Sequence, residues 1–182
     1  ARADYDAARD HALSVRRGDE FLFGEQREVQ DGLDRLEWEL QAVAAEPLRQ
    51  AHEATVRARS DDDPEDAVEH WETAVRRYEA VLALCDGDGH RHVASDPDAV
   101  AADLATAVEQ LVATRQALAR TLWDEGVQYH REGNPIGAIQ RFDAAVDHQA
   151  RITEVASKYR PEAATEAEER LTERREKLDL VR

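Results

Sequence analysis

The residues best suited to chemistry lie in one short segment, CDGDGHRH at residues 85–92. Cys85, Asp88, His90 and His92 offer a thiolate, a carboxylate and two imidazoles, the ligand types that hold zinc and related ions. The segment has no second ligand pair nearby in the sequence, and Cys85 falls on the apolar stripe of a predicted helix. A calcium loop is disfavoured because Pro97 takes the position of the bidentate glutamate. We therefore predict an ordinary polar loop without metal or cofactor, with these four residues as the one candidate metal cluster.

The remaining histidines and the serines do not form a recognisable catalytic pattern. No histidine has a glutamate three residues before it, as di-iron helical bundles require. His52-Glu53 opens a zinc-protease pattern, but position 56 is Val rather than His. None of the four serines stands in a G-x-S-x-G setting. The sequence therefore favours a protein that is not an enzyme.

The charge balance bears on partners and habitat. The chain has 40 acidic against 24 basic residues, a net charge of −16, and only two of the basic residues are lysine. Such a chain repels phosphate, so nucleic acid and anionic membranes are not expected partners. Its acidic, lysine-poor composition resembles that of proteins from extremely halophilic archaea; an acidic protein of a GC-rich bacterium is the alternative. With one cysteine, no apolar run of about 20 residues and no signal peptide, we expect the cytoplasm.

Helical periodicity runs through the chain, and turn residues divide it. We predict a first helix at 4–17 and a second that carries a heptad-like seam of apolar residues, which Pro47 interrupts. A third helix is expected at about 48–60, followed by a turn in which Asp63 caps and Pro64 takes the first helical position. The seam consists of Leu22, Val29, Leu33, Leu36, Leu40 and Val43. We expect it to pack within the chain, against the stripe Trp71, Ala74, Tyr78 and Val81 of the fourth helix.

Beyond the loop at 87–97, three more helices are predicted. The fifth is long and runs to about residue 132, where Gly133-Asn134-Pro135 forms a turn. The sixth carries an apolar stripe that includes Phe142 and Ile152, and Pro161 starts a last, highly charged helix. The predicted fold class is all-α, built of antiparallel helical hairpins, some extended into coiled-coil-like helices.

Two segments of the chain align without a gap at an offset of 71 residues. DPEDAVEHWETAV at 63–75 matches NPIGAIQRFDAAV at 134–146, and the longer stretch LWDEGVQYHREGNPIGAIQRFDAAV resembles the tetratricopeptide-repeat consensus. The resemblance implies a right-handed solenoid bundle of helical hairpins, in which Gly126 permits a close helix crossing opposite Ala138. The residues it assigns to repeat packing are Ala67, Trp71, Ala74, Leu122, Gly126, Tyr129, Gly133, Ala138, Phe142 and Ala145. A heptad-driven bundle without repeat stacking is the alternative, because repeats of this family recur every 34 residues, whereas these two segments are 71 residues apart.

The resemblance also implies a function, because proteins of this family act as scaffolds that bind a peptide or helix in a groove. The implied groove residues on the first helices of the hairpins are His52, Val56, Trp123, Val127 and His130. The only asparagine, Asn134, lies in a turn, so the family's usual carboxylate clamp is not expected, and an apolar or basic helix is the favoured ligand. The alternative is a structural homodimer through the 22–43 seam, with homo-oligomerisation otherwise secondary.

The predicted organisation is a single folded unit of five segments. They are an N-terminal hairpin with the heptad seam at 1–46, a first repeat-like hairpin at 47–86, a loop at 87–97, a second repeat-like hairpin at 98–160, and a charged C-terminal helix at 161–182. These boundaries follow the prolines and glycines between the periodic stretches.

Overall fold

Five α-helices make up the regular structure of the computed structural model, which describes residues 23–85 and 96–181. They are α1 (Phe23–Ser60), α2 (Pro64–Cys85), α3 (Pro97–Arg131), α4 (Pro135–Tyr159) and α5 (Pro161–Asp179). No strand occurs within those two ranges, so the predicted all-α class is confirmed there. The predicted first helix at 4–17, together with Leu22, lies outside the described residues.

Proline begins four of these helices. Each of α2, α3, α4 and α5 has proline as its first residue, namely Pro64, Pro97, Pro135 and Pro161. Proline suits this position because the amide N–H that it lacks would have no partner within the helix, and its φ angle is already helical. The sequence-based helix starts at Pro64 and Pro161 are therefore confirmed.

Side-chain caps support three of these helix starts. An Asp63 carboxylate oxygen accepts the backbone N–H of Glu65 at 2.8 Å, as the sequence predicts. Asp96 accepts the N–H of Ala99 in the same way at 3.0 Å, before α3. Before α4, the Asn134 side-chain oxygen accepts the N–H of Gly137 at 3.0 Å. Each cap satisfies one of the amide groups that the first helical turn leaves without a backbone partner.

Helix α1 does not end at Pro47, and the predicted interruption there is wrong. The helix runs on to Ser60 with the proline inside it. Proline removes one helical hydrogen bond, but the neighbouring turns supply other interactions. Ala44 and Ala51 are buried on either side, and Glu46 accepts a hydrogen bond from Arg49 and another from Gln50, each at 2.6 Å. Burial and local ion pairing therefore outweigh the local breaker signal.

The buried positions described for α1 do not include Val43, the last residue of the predicted seam. The side chains of Val29, Leu33, Leu36 and Leu40 lie outside the described part of the chain, so their packing against α2 stays a prediction. Val43 is 53% exposed, contrary to its place in the predicted seam, whereas Ala44 is 3% exposed. From Ala44 the buried positions continue at Ala51, Ala54 and Ala58, with spacings of seven, three and four. These spacings keep the four alanines on one face of the helix.

The chain divides into two compact units. One comprises Ala1–Glu53 and Ala74–Leu104, and the other Ala54–Thr73 and Ala105–Arg182. Among the described residues of the first unit, the buried core includes Ala51, Tyr78, Val81 and Val100.

In the second unit, α4 packs against both α5 and the latter part of α3. One cluster joins Phe142 and Val146 of α4 to Leu171 and Leu178 of α5, with the α3 side chains Trp123 and Val127 packed against it. A second cluster joins Ile152 and Ala156 of α4 to Ala167 of α5, with Val112 of α3 beside it. Early residues of α4 thus meet late residues of α3 and of α5. This packing positions the candidate site.

Candidate functional site

A groove runs between α3 and α5, and residues of α4 form its floor. It consists of two adjoining clefts of about 330 and 370 Å³, both lined by Gln116, Gln149 and Arg170. Gln149 is 3% exposed, and its side-chain amide donates a hydrogen bond to the Ala167 carbonyl oxygen at 3.4 Å. Because Gln149 lies on α4 and Ala167 on α5, this bond links the floor of the groove to one wall.

The first cleft has an apolar surface of small side chains. Its floor is Ile152 and Ala156 of α4, which are almost wholly buried. Around the floor lie Val112, Ala113, Ala163 and Ala167, and the charged residues Glu109, Arg160, Glu166 and Arg170 complete the lining. A surface of alanine, valine and isoleucine with charges of both signs can accommodate the apolar side chains of another protein segment.

The second cleft is basic. It is lined by Arg120, Arg170, Arg174 and Lys177, with Trp123, Glu173 and the two glutamines completing it. The Arg174 guanidinium lies 5.6 Å from the centre of the Trp123 ring, which is within the range of a cation–π contact. It also donates to the carbonyl oxygens of Ala119 and Ala145, at 3.3 and 3.4 Å.

The surroundings of Arg174 lower the pKa of its guanidinium. Burial lowers the pKa of Arg174, and the nearby charges of Arg120 and Arg170 lower it further. Asp124 and Glu173 act in the opposite direction but do not cancel the effect. Arg174 remains a cation, because an arginine stays protonated at any physiological pH. Arg120 and Arg170 are therefore close enough for their charges to act on Arg174.

An ion pair joins the buried Arg115 of α3 to the exposed Glu72 of α2. Arg115 is 6% exposed and donates to the carboxylate of Glu72, and another of its N–H groups lies 3.1 Å from Nδ1 of His148. Since arginine can only donate, His148 accepts at Nδ1 and carries its proton on Nε2. Burial and the Arg115 charge both lower the pKa of His148. The Nε–H group of Arg115 is buried without a hydrogen-bond partner in the structure.

The residues assigned to repeat packing lie mostly in the interior. Seven of them are at most 6% exposed, namely Ala67, Trp71, Ala74, Leu122, Ala138, Phe142 and Ala145. Gly126 is buried, Tyr129 is half-buried, and Gly133 is an exposed turn residue with φ of 77°. Residues with a Cβ atom rarely adopt that backbone conformation, so glycine is favoured at the turn before α4.

The Phe142 ring makes the closest contact at Gly126. A Cβ atom at this position would stand 2.7 Å from two ring carbons of Phe142. The place of Ala138 opposite the glycine stays a prediction. The Phe142 ring also packs against Trp123, with 4.6 Å between ring centroids. The aromatic side chain therefore occupies the space that the absent side chain of Gly126 leaves.

Of the five residues predicted to line a partner groove, Trp123 lines the groove between α3 and α5. Val127 is partly buried against the Phe142 cluster. His52, Val56 and His130 are exposed and are not among the residues that line this groove. The His52 ring instead lies edge-on to Tyr78 at 5.8 Å, and its Nε2 is 3.4 Å from an Asp103 carboxylate oxygen.

The candidate metal cluster cannot be assembled from the described residues. Asp88, His90 and His92 lie outside them, and Cys85 is the half-buried last residue of α2. Within residues 23–85 and 96–181, no three side chains of the metal-binding types come together.

The basic residues of the groove were missed by sequence reasoning. The described contacts of Arg174 are with Trp123 and two backbone carbonyls. The available signal was the spacing of Arg170, Arg174 and Lys177, which places the three on one face of a helix. Arg120 gives no such signal, because only the packing of α3 beside α5 brings it to them.

Comparisons with known proteins identify no relative. No protein-family model matches the chain, and neither a search of curated proteins nor one of solved structures finds a match. Among the described helices, none combines the length and the apolar character needed to cross a membrane.

Proposed function

We propose that this chain is a non-enzymatic helical scaffold that binds a segment of another protein in the groove between α3 and α5. The observation that carries the proposal is the groove itself, in which an apolar cleft and a basic cleft adjoin along two helices. A helix or an extended peptide could extend along both clefts, with apolar side chains on the Ile152 and Ala156 floor. Grooves between helices are a common means of recognising such segments.

We propose further that α3 and α4 form a tetratricopeptide-repeat-like hairpin, followed by α5 as a helix that covers its open side. Several features support the hairpin. Gly126 adjoins the Phe142 ring, Ala138 and Ala145 are fully buried, and the turn combines Gly133 with the Asn134 cap. On this proposal α3 and α5 occupy equivalent positions on either side of α4, which accounts for a groove with these two helices as its walls.

The proposed setting is the cytoplasm of a halophilic organism. A net charge of −16 with only two lysines supports it, because carboxylates keep a surface hydrated where salt screens their mutual repulsion. Binding in such a medium depends on direct contacts rather than on long-range attraction, since the Debye length is only ~3 Å at 1 M salt. A groove with both apolar and hydrogen-bonding surface meets that requirement.

Site-specific photo-crosslinking tests the proposed groove. Benzoylphenylalanine would replace Gln116, which lines both clefts, and in a matched control would replace Gln110, which is exposed on α3 outside them. We expect a discrete partner crosslinked in native lysate at high salt from position 116 and not from 110. The partner, identified by mass spectrometry and purified, should then bind the unmodified chain directly. Equal labelling from both positions would contradict a groove-based interaction.

A structural homodimer is the second candidate, and exposed apolar side chains on α1 favour it. Trp38 is 68% exposed and Val43 is 53% exposed, which is unusual for large apolar side chains. Light scattering over a range of concentrations distinguishes the candidates. A stable dimer that Trp38→Ser converts into a folded monomer would support the second, whereas a monomer throughout would remove it.

A further inference from the structure

The helix α5 sorts its charges by face. It carries seven acidic and four basic residues, so it is acidic overall. Three of the four basic side chains, Arg170, Arg174 and Lys177, nevertheless line the basic cleft, whereas Glu173 is the only acidic one that does. Arg120 adds a fourth cation from α3. A chain with a net charge of −16 thus concentrates positive charge at one place in its groove.

These cations are only partly neutralised by the protein. Arg170 pairs with Glu166 at 2.6 Å and Lys177 with Glu173 at 2.5 Å, but all four side chains are at least half exposed. Such surface pairs contribute little and exchange readily with other partners. Arg120 forms no ion pair with the described residues, and Arg174 donates to two backbone carbonyls at 3.3 and 3.4 Å. Burial is the main cause of the lowered pKa of Arg174, and the nearby charges of Arg120 and Arg170 lower it further.

We propose that this basic cleft binds carboxylate side chains of an acidic segment of the partner protein, with Arg120 and Arg170 as the principal contacts. The inference rests on the proposed scaffold function and names the chemistry of its partner. It reverses the expectation from sequence that an apolar or basic helix is the favoured ligand. Aspartate or glutamate would enter the basic cleft, and neighbouring apolar residues would contact the Ile152 floor of the adjoining one.

The chemistry of the cleft favours carboxylate as the ligand. Guanidinium groups present paired N–H donors that match the two oxygens of a carboxylate, and such charge-assisted bonds are among the stronger polar contacts. Gln116 adds an amide donor on the α3 side. Nucleic acid is disfavoured, because its extended negative charge would meet the acidic surface beyond the cleft. A short acidic segment places its charge only where the arginines are.

Titration calorimetry with the full chain tests the proposal. The probes are a capped alanine–glutamate peptide, the same peptide with glutamine for every glutamate, citrate, and inorganic phosphate. We expect the glutamate peptide to bind and the glutamine peptide not to bind. The double variant Arg120→Gln/Arg170→Gln should weaken binding of the glutamate peptide at least ~10-fold. The matched control is Arg59→Gln/Arg131→Gln, which removes two exposed arginines outside the cleft and should leave the affinity unchanged.

Any result other than these overturns the inference. Binding of citrate alone would indicate a site for a small carboxylate rather than for a protein segment, and binding of phosphate as tight as that of the peptide would remove the preference for carboxylate. No binding, or equal loss in both double variants, would show that the cleft is not the site. If the partner still crosslinks at position 116 of the Arg120→Gln/Arg170→Gln variant with undiminished yield, the scaffold function stands and this inference fails. Unaltered melting of both double variants serves as the folding control.

Discussion

The ring of Phe142 lies directly against Gly126, so that a methyl group on the glycine would stand 2.7 Å from two ring carbons. Real Cβ atoms do not approach carbon so closely, and Phe142 is itself held between Trp123 and the buried residues of α5. The ring therefore has little room to move away. This contact fixes how closely α3 and α4 pack, and with it the position of the groove.

Substitution at Gly126 should therefore be destabilising. We expect Gly126→Ala to lower the free energy of unfolding by about 1–3 kcal/mol and Gly126→Leu by more, because each forces a repacking around Phe142. Gly32→Ala is the matched control, since nothing lies within 4 Å of a Cβ atom at that helical position. The control should be neutral or stabilising by up to ~1 kcal/mol. Chemical denaturation measures all three, and a neutral Gly126→Leu would contradict the close packing.

Because Arg115 is buried and Glu72 is not, substituting these two residues should lower the stability by unequal amounts. Glu72→Gln should cost ~2 kcal/mol, because it leaves the Arg115 charge buried without its counter-ion. Arg115→Met should cost less, since the Glu72 side chain is 48% exposed and water can solvate its charge. In the control Arg151→Gln, the broken pair with Glu154 is exposed on both sides, so the loss of stability should be smaller than in either other variant. A larger loss for Arg115→Met than for Glu72→Gln would show that packing of Arg115, rather than its charge, dominates.

His148 should make stability depend on pH. Its pKa is lowered in the folded chain by burial and by the Arg115 charge, so the unfolded chain binds a proton at a higher pH than the folded one. The part of the unfolding free energy that depends on His148 is therefore fully present above the ordinary histidine pKa of ~6.5. It falls as the pH decreases through and below that value. We expect the slope of unfolding free energy against pH in this window to be smaller in His148→Gln than in the unsubstituted chain. An identical slope would show that His148 is not responsible.

Salt should stabilise the fold. When salt is lowered from about 1 M to about 0.1 M, the Debye length grows from ~3 to ~10 Å and repulsion among the excess carboxylates increases. We expect thermal unfolding, followed by circular dichroism at neutral pH, to shift to lower temperature. A melting temperature that is unchanged over this range would remove the halophilic interpretation.

The sequence predicts most of the helix ends, because residues close to each end determine where the helix begins or stops. Pro64, Asp63, Asn134 and Pro161 act within a few residues of their own position, and the structure places helix starts or caps at all four. Pro47 is the exception. Its local signal is that of a helix breaker, yet the burial of Ala44 and Ala51 on either side keeps α1 continuous. Tertiary packing, which the local pattern does not contain, determines that outcome.

The candidate groove could be predicted only in part. The repeat resemblance pointed to Trp123, which lines the basic cleft, but also to His130, which does not. Arg120 and Arg170 are fifty positions apart and meet because α3 and α5 pack beside the same helix. The charge of Arg170 also looks unremarkable in sequence, since Glu168, Glu169 and Glu173 surround it. The spacing of the basic residues of α5 indicates a common face, but only the packing of α3 beside α5 shows that this face lines a groove.

Filling the groove tests the central proposal most directly. Gln116→Trp would place a large side chain where the two clefts adjoin, and Gln110→Trp would place the same side chain elsewhere on α3. Calorimetry with the partner captured at position 116 gives the affinity of each variant, with the melting temperature as the folding control. We expect at least a ~10-fold loss of affinity for Gln116→Trp and an unchanged affinity for Gln110→Trp. Full affinity of a folded Gln116→Trp variant would contradict the proposal.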